Sequence, residues 1–478
     1  MPPTSSHQGF TLHALTGGDL SWLNEAAARA AAAKPGQRSY FRLPLPSGGE
    51  AFVKVYTRRR KHSLLRRLGQ SRAAREAAGY AAFAKAAVRT PELLAWGERR
   101  KAGLWDASFI ATRFIEAPSA ADRFANGTPP RSDLTDCLEA ARFVGALHAK
   151  GIAHGDPGAS NFLMTPGGIT ALDPGEQGPA TAEAKAADAA QLVGSVLALG
   201  ASQAQSEQVL RAYTQAAGPL GVDDRTLWRR IRHRALDELK RRTGAKVIGG
   251  KHSHDALHAT LDAMPPAKVL DAPCGEGLLS EFLRYRGWEV HTADIDPGNM
   301  RAPGHTVATV DLNRALSIPD ASYDVVVSAN ALHRLFNPGG AVREFHRILR
   351  PGGALVLNLN NYASIERRLR FMVYGSLDNA VNTGACQQST SAPEAHVRVA
   401  FLIPSLVPAL KEAGFTIERV TGGKRTVPQT LLLPAAWLTA AVGMLVPRRS
   451  RDRNALSVNN SMAVLGGGNY VVVVARKR

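Results

Sequence analysis

The chain has 478 residues, 45% of them hydrophobic, with 59 Lys and Arg against 40 Asp and Glu and a formal net charge of +19. This length and apolar content suit two or three domains with real cores and exclude a disulfide-stapled miniprotein or a disordered polymer. The cysteines Cys137, Cys274 and Cys386 are scattered, which fits a reducing compartment and gives no metal site.

The charge suits nucleic acid, an anionic membrane surface or a phosphate-rich substrate. No zinc-finger spacing or RNA-binding motif supports nucleic acid. The first ten residues lack a basic segment followed by an apolar run, so no secretory signal is expected.

Residues 9–56 read as short strands around turns, with Pro46-Ser47-Gly48-Gly49 marking a hairpin. Ala51 to Tyr56 reads as a strand with one lysine, Lys54, in an apolar setting. Such a lysine is equally at home on an exposed strand edge. Residues 58–75 carry eight Lys or Arg and no acid, and Ser71 to Glu76 opens an alanine-rich helix.

A helix over 140–150 leads into His154-Gly155-Asp156, with Asn161 five residues past the aspartate. The next short strand, from Ile169, closes on Asp173. Phosphoryl transfer asks for these residue types. One carboxylate accepts the substrate hydroxyl proton. An amide oxygen and a second carboxylate hold Mg²⁺ against the phosphates of ATP. A lysine grips the phosphates and a glutamate orients it. Each residue alone is weak, but the ordered set Lys54, Glu76, Asp156, Asn161, Asp173 is specific.

On these residues, with Phe52-Val53-Lys54-Val55-Tyr56, the basic stretch, Ala73-Ala74-Arg75-Glu76 and Arg89 to Glu98, residues 10–240 resemble the lipopolysaccharide kinase family (Kdo and heptose kinases) of the protein-kinase-like fold. The resemblance implies that Lys54 binds phosphates, Glu76 pairs with it, Asp156 is the catalytic base, and Asn161 and Asp173 bind Mg²⁺. The chain departs from the kinase pattern in three ways. It has no G-x-G-x-x-G loop, Gly155 stands inside H-x-D, and Pro174-Gly175 follows the metal aspartate.

Residues 182–216 read as helical and 224–242 as a strongly basic helix. Residues 244–253, with Gly249-Gly250, read as the linker between a first domain at 1–243 and a second at 254–478. A charge run is usually a solvated face. Two arginine-rich clusters in a lipid-kinase-like half also suit phosphate or membrane-surface contact.

Lys268 to Asp271 reads as a strand, Pro273 to Gly277 as a glycine turn and Leu278 onward as a helix. The two glycines allow a sharp turn and close approach of backbone to a ligand. Ser280 stands where a dinucleotide fingerprint wants its third glycine. Strands alternating with helices then argue a mostly parallel sheet. The second strand ends at Asp294-Ile295-Asp296, the third at Asp311-Leu312-Asn313. The fourth runs from Tyr323 to Ser328 before Asn330-Ala331-Leu332-His333-Arg334. Arg347-Ile348-Leu349-Arg350-Pro351-Gly352-Gly353 leads to the fifth.

These motifs resemble class I S-adenosylmethionine (SAM) methyltransferases, an α/β Rossmann-like fold. The resemblance makes Asp271, Ala272, Gly275, Gly277, Asp294, Ile295, Asp311, Leu312 and Asn330 the candidate cofactor residues, with Asp294 at the ribose and Asp311 near the adenine. His333 is the candidate base where relatives read Glu-His. His396 and Arg398 suit an anionic substrate or a solvated loop. Residues 427–447 are free of charge and flanked by Lys424-Arg425 and Arg448-Arg449. Pro434 and Gly443 interrupt them, which favours a buried or interfacial helix pair over a span. Tyr470 to Ala475 reads as the last strand.

The expectation is a two-domain enzyme, a bilobal protein-kinase-like α+β domain followed by a class I methyltransferase domain. It would use ATP, Mg²⁺ and SAM on a cell-envelope glycan or glycolipid, in the cytoplasm at the inner membrane face. The alternative is a small-molecule methyltransferase whose kinase-like half is a regulatory module without activity. A third reading is a basic scaffold that docks glycan-synthesis enzymes on the membrane.

Overall fold

In the computed structural model, the described residues are 4–15, 19–36, 38–58, 68–126, 133–175, 178–246, 252–375 and 402–478. The contacts divide the chain into two units, Met1–Glu238 and Leu239–Arg478. The division falls inside the helix Asp224–Thr243, while residues 247–251, half of the expected linker, lie outside the described residues.

The first unit begins with β1 (Thr4–His7) and β2 (Phe10–Ala14), followed by the helix Ser21–Ala32. Next come β3 (Arg38–Pro44) and β4 (Glu50–Thr57), then the hairpin of β5 (Leu93–Lys101) and β6 (Leu104–Arg113). These six strands form one antiparallel sheet in the order β1-β2-β5-β6-β4-β3. One face of β4 buries Ala51, Val53 and Val55 against Phe109 and Ala111 of β6 and the helix Ser21–Ala32. The period-two alternation therefore sends Lys54 and Tyr56 to the other face, where the helix Arg72–Lys85 packs. Ser71 caps that helix by accepting from the Ala74 N–H. Ala73, Glu76, Ala77, Tyr80 and Phe83 are buried along the helix, so Glu76 points inward.

The rest of the unit is helical, with Thr135–Ala149, Ala182–Ala198, Gln203–Ala217 and Asp224–Thr243. A two-stranded ribbon, β7 (Phe162–Thr165) and β8 (Gly168–Ala171), carries the Asp156 to Asp173 segment. The stretch over 182–216 that reads as helical is divided into two helices. Gly200, at φ +102°, ends the first. Ser202 and Gln205 form a capping box that starts the second.

The second unit is a seven-stranded sheet in the order β11-β10-β9-β12-β13-β15-β14. Its strands are β9 (Lys268–Asp271), β10 (Glu289–Asp294), β11 (Val307–Thr309), β12 (Tyr323–Ala329), β13 (Leu349–Asn360), β14 (Phe415–Gly422) and β15 (Tyr470–Lys477). β9 to β13 are parallel, and β15 inserts antiparallel between β13 and β14. β14 was not expected; its alternating, half-polar sequence suits an edge, where only one neighbour fixes it. The strand order reverses beside β9, which opens a crevice at the carboxyl ends of β9, β10 and β12.

Candidate active sites

In the first unit Lys54 is buried. Its Nζ donates to Glu76 Oε1 at 3.0 Å and also contacts Asp173 Oδ1. Tyr56 Oη donates to the other oxygen of Glu76 at 2.6 Å. Burial pulls the Lys54 ammonium below its ordinary pKa, and the Glu76 charge opposes that pull. Burial and Glu76 push the Tyr56 hydroxyl up, so it stays a donor.

Asp173 has φ +48°, a left-handed conformation that aspartate tolerates better than most residues. It follows β8 and reaches back to the lysine of β4. Asp156 is exposed. Asn161 Nδ2 donates to the Asp156 carbonyl at 2.8 Å, which leaves the amide oxygen of Asn161 able to serve as a ligand. Among the described residues no cluster of three or more His, Cys, Asp or Glu could hold a metal by itself. An Mg²⁺ held by Asn161, Asp173 and phosphate oxygens needs no such cluster, so the residues present fit the ion.

A residue missed in the sequence holds this loop. Asp188, buried in the helix Ala182–Ala198, accepts from the backbone N–H groups of His154 at 2.8 Å and Gly155 at 3.1 Å. His148 Nε2 meets the same carboxylate at 2.9 Å. A lone aspartate in an alanine-rich helix, at an otherwise buried position, was the available signal. Burial pushes His154 down to about 4, so it is neutral at pH 7.

In the second unit one cavity is lined by Asp271, Ala272, Gly275, Asp294, Ile295, Asp311, Leu312 and Asn330, eight of the nine expected cofactor residues. Asp271 ends β9 fully buried; Oδ2 accepts from Ser280 Oγ at 2.7 Å, and Oδ1 has no hydrogen-bond partner among the described residues. Ser280, which breaks the dinucleotide pattern, thus serves the carboxylate at the strand end. Burial raises Asp271 to about 7, against the Ser280 hydrogen bond.

Asp294 accepts from Gly275 N–H at 2.8 Å and Asp296 N–H at 3.0 Å, which ties the glycine turn to β10. Burial still raises its pKa. Asp311 accepts from the Asn313 N–H at 2.9 Å, while Asn313 Oδ1 accepts from Phe336 N–H at 2.8 Å. The loops after β11 and β12 are joined through that amide. Asn330 sits at φ +56° beside the cavity, its N–H donating to the Asn358 carbonyl.

Two expectations change. Gly277 does not line the cavity; at φ +84° it lets Met300 and Ala302 pack where a Cβ would stand, against Met300 Sδ and 2.7 Å from Ala302 Cβ. His333 is buried in the turn Leu332–Arg334 and does not line the cavity, whereas Arg334 does. His396 and Arg398 lie outside the described residues. The sequence reading missed Lys246, His254, Glu276 and Asn299 in the cavity wall. The Lys246 N–H donates to Glu276 Oε2 at 2.8 Å. Burial and the Lys240 charge lower His254 to about 4.

The donor set fits SAM. That ligand is cationic at its sulfonium and ammonium and carries two ribose hydroxyls. The wall offers four acids, Asp271, Glu276, Asp294 and Asp311, against Lys246 and Arg334. A buried oxygen of Asp271 without a partner among the described residues and a left-handed turn at Gly275, φ +53°, complete the cradle.

A family model described as the lipopolysaccharide kinase (Kdo/WaaP) family matches residues 36–213. One described as a methyltransferase domain matches residues 270–357. The chain thus matches a lipopolysaccharide kinase family model in its first unit and a methyltransferase-domain model in its second.

A malonyl-[acyl-carrier protein] O-methyltransferase of Pseudescherichia vulneris is 38% identical over 111 residues, 19% of this chain and 43% of that protein. The Serratia marcescens protein of the same name is 28% identical over 126 residues, 23% of this chain and 45% of that one. The match spans less than half the length of either relative. A solved SAM-dependent methyltransferase from Mesorhizobium loti matches at 19% identity and a TM-score of 0.31, covering 48% of this chain and 99% of that one.

Proposed function

We propose that the chain is a bifunctional enzyme that phosphorylates, and methylates with SAM, a glycan or glycolipid of the cell envelope. The observation that carries the reading is the meeting of Lys54, Glu76 and Asp173 beside the loop of Asp156 and Asn161, in a segment of the lipopolysaccharide kinase family. A regulatory module without chemistry has no use for a buried lysine held between two carboxylates, since burying charge costs stability.

In this reading Lys54 holds the phosphates of ATP and Glu76 keeps its ammonium in place. Asp156, exposed to the acceptor, takes the proton of the attacking hydroxyl. Asn161 and Asp173 hold Mg²⁺, which neutralises charge on the transferring group. In the second unit Asp271, Asp294 and the turn at Gly275 bind and orient the methyl donor, which supplies an electrophilic methyl for in-line displacement. Arg334 in the same wall can hold an anionic acceptor by charge-assisted hydrogen bonds.

The test is mass spectrometry of an envelope-glycan extract incubated with the protein, ATP and methyl-labelled SAM. Gain of phosphate and label on envelope glycan supports the reading. Label confined to small molecules, with no ATP-dependent phosphate, moves it to the alternative of a methyltransferase with a regulatory kinase-like half. Asp156→Ala should slow phosphoryl transfer and spare Mg²⁺–ATP binding, whereas Asp173→Ala should weaken that binding. Normal turnover in both variants, with every acceptor active for the wild type, would remove the kinase assignment.

A further inference from the structure

The second unit carries a helix turned inside out. In Leu433–Met444 the buried residues are small, Ala436 and Gly443, while Trp437, Leu438 and Val442 face outward at 63%, 68% and 54% exposure. Met444 and Leu445 follow, also exposed, and Val427 and Leu431 of the preceding helix Val427–Leu431 are exposed as well. The end of the helix Ile365–Tyr374 adds exposed Phe371, Met372, Val373 and Tyr374.

These helices share one small core of Ile365, Ala436 and Leu465, packed by Leu369, Leu432 and Ala440, so their apolar faces belong to one substructure. Gln429 Nε2 also donates to Glu366 at 2.7 Å and fixes the two segments together. A surface helix of a globular protein buries its large apolar residues and exposes its small or polar ones. The reverse arrangement over a connected patch marks an interaction surface.

The charges around the patch choose the partner. No charged residue stands between Arg425 and Arg448. Lys424, Arg425, Arg448, Arg449, Arg451 and Arg453 flank the stretch, and Asp452 is the one acid among residues 424–453. A second copy seated on this face would bring two such cationic rims together, which is repulsive. An anionic lipid surface would neutralise the rim and bury the apolar side chains.

A span is excluded for this stretch. The 12-residue helix is about 18 Å long at 1.5 Å per residue, short of a hydrocarbon core of about 30 Å. Among the described residues no helix is long and apolar enough to cross a membrane.

We infer that the helices Val427–Leu431 and Leu433–Met444, with the end of Ile365–Tyr374, lie in the plane of an anionic bilayer surface. Trp437, Leu438 and Leu445 enter the interface and the flanking arginines contact lipid phosphates. The inference does not rest on either catalytic assignment, and its test involves no turnover.

The full chain is mixed with phosphatidylcholine vesicles and with vesicles that also contain phosphatidylglycerol, and sedimented at low and high salt. The protein should sediment with the anionic vesicles and be released in part by salt, because exposed charges are screened. Arg448→Ala and Arg449→Ala should each lower the partition coefficient about fivefold, the equivalent of about 1 kcal/mol per surface cation.

Leu438→Asp should abolish binding while leaving the melting temperature unchanged, since Leu438 is exposed. Trp437→Phe should remove a vesicle-induced blue shift in fluorescence. Equal binding to both vesicle types, or binding that Leu438→Asp leaves intact, overturns the inference. A concentration-dependent dimer without lipid, dissolved by Leu438→Asp, also overturns it and assigns the face to a second copy.

Discussion

Asp271 shows what one buried carboxyl does at a strand end. Its pKa of about 7 lies above the unfolded value of about 3.9, so the folded chain binds the proton more tightly. Its contribution to stability is full below about pH 4, declines as pH rises through about 7, and above that leaves a penalty of about 4 kcal/mol. Asp271→Asn keeps the shape and cannot ionise. Compared with wild type in denaturant titrations, it should be the more stable protein at pH 8 and lose that advantage at pH 4. Binding of a cationic cofactor favours the ionised form. Wild-type SAM affinity should therefore rise with pH through 7, and the variant should lose that rise in calorimetry. A wild-type profile in Asp271→Asn would show that this carboxyl neither titrates in that range nor meets the ligand.

The neighbouring Gly277 belongs to packing. Gly277→Ala places a methyl against Met300 and Ala302 at φ +84°, where the left-handed backbone alone costs an L-residue about 1–2 kcal/mol. The melting temperature should fall, and SAM affinity should fall less than it does for a bulky change at Gly275. Both glycines were visible in the sequence. What each one meets was not, because Met300 and Ala302 come from the loop after β10.

Elements were legible where the pattern is local and periodic. β4, the helix from Ser71, β9 and β12 follow from apolar spacing and caps. The break between Ala182–Ala198 and Gln203–Ala217 was written in Gly200, Ser202 and Gln205, but alanine-rich flanks on both sides masked it. Asp188 was illegible as an anchor because its partners, His148 and the N–H groups of His154 and Gly155, lie more than thirty positions away in sequence. Its role gives a prediction at this scale. Asp188→Asn replaces one acceptor oxygen by a donor that faces at least the Gly155 N–H, and a buried network broken this way costs about 3 kcal/mol or more. Melting temperature should fall. Phosphoryl-transfer kcat should fall further than ATP affinity, because the strained part is the loop of Asp156 and not Lys54 or Glu76. Equal losses in kcat and ATP affinity would mean that the whole unit has loosened.

At the scale of the whole molecule the question is why one chain would carry both proposed chemistries. A sugar hydroxyl is a poor nucleophile and methylation of it needs a placed base. The expected base, His333, does not line the cavity, and His254, which does, is neutral and weakly basic with a pKa near 4. For an anionic acceptor the wall offers two cations, Arg334 and Lys246, beside its four acids. A phosphate monoester needs no base, because its second pKa is about 6 and it is already anionic at pH 7. In the proposed reading the first unit, which matches the lipopolysaccharide kinase family model, makes such a group. Under the proposed function this gives an order to test, phosphorylation of a glycan hydroxyl followed by methylation of that phosphate to a methyl phosphodiester. Transfer from methyl-labelled SAM to an acceptor bearing no phosphate should then require ATP and fail in the Asp156→Ala protein. Supplying the phosphorylated acceptor should restore it without ATP. Arg334→Ala should raise KM for the phosphorylated acceptor by at least tenfold while SAM affinity changes little, the loss of one charge-assisted hydrogen bond of about 1.5 kcal/mol or more. Methylation that proceeds equally well without ATP on the unphosphorylated acceptor would separate the two activities and leave each unit its own hydroxyl.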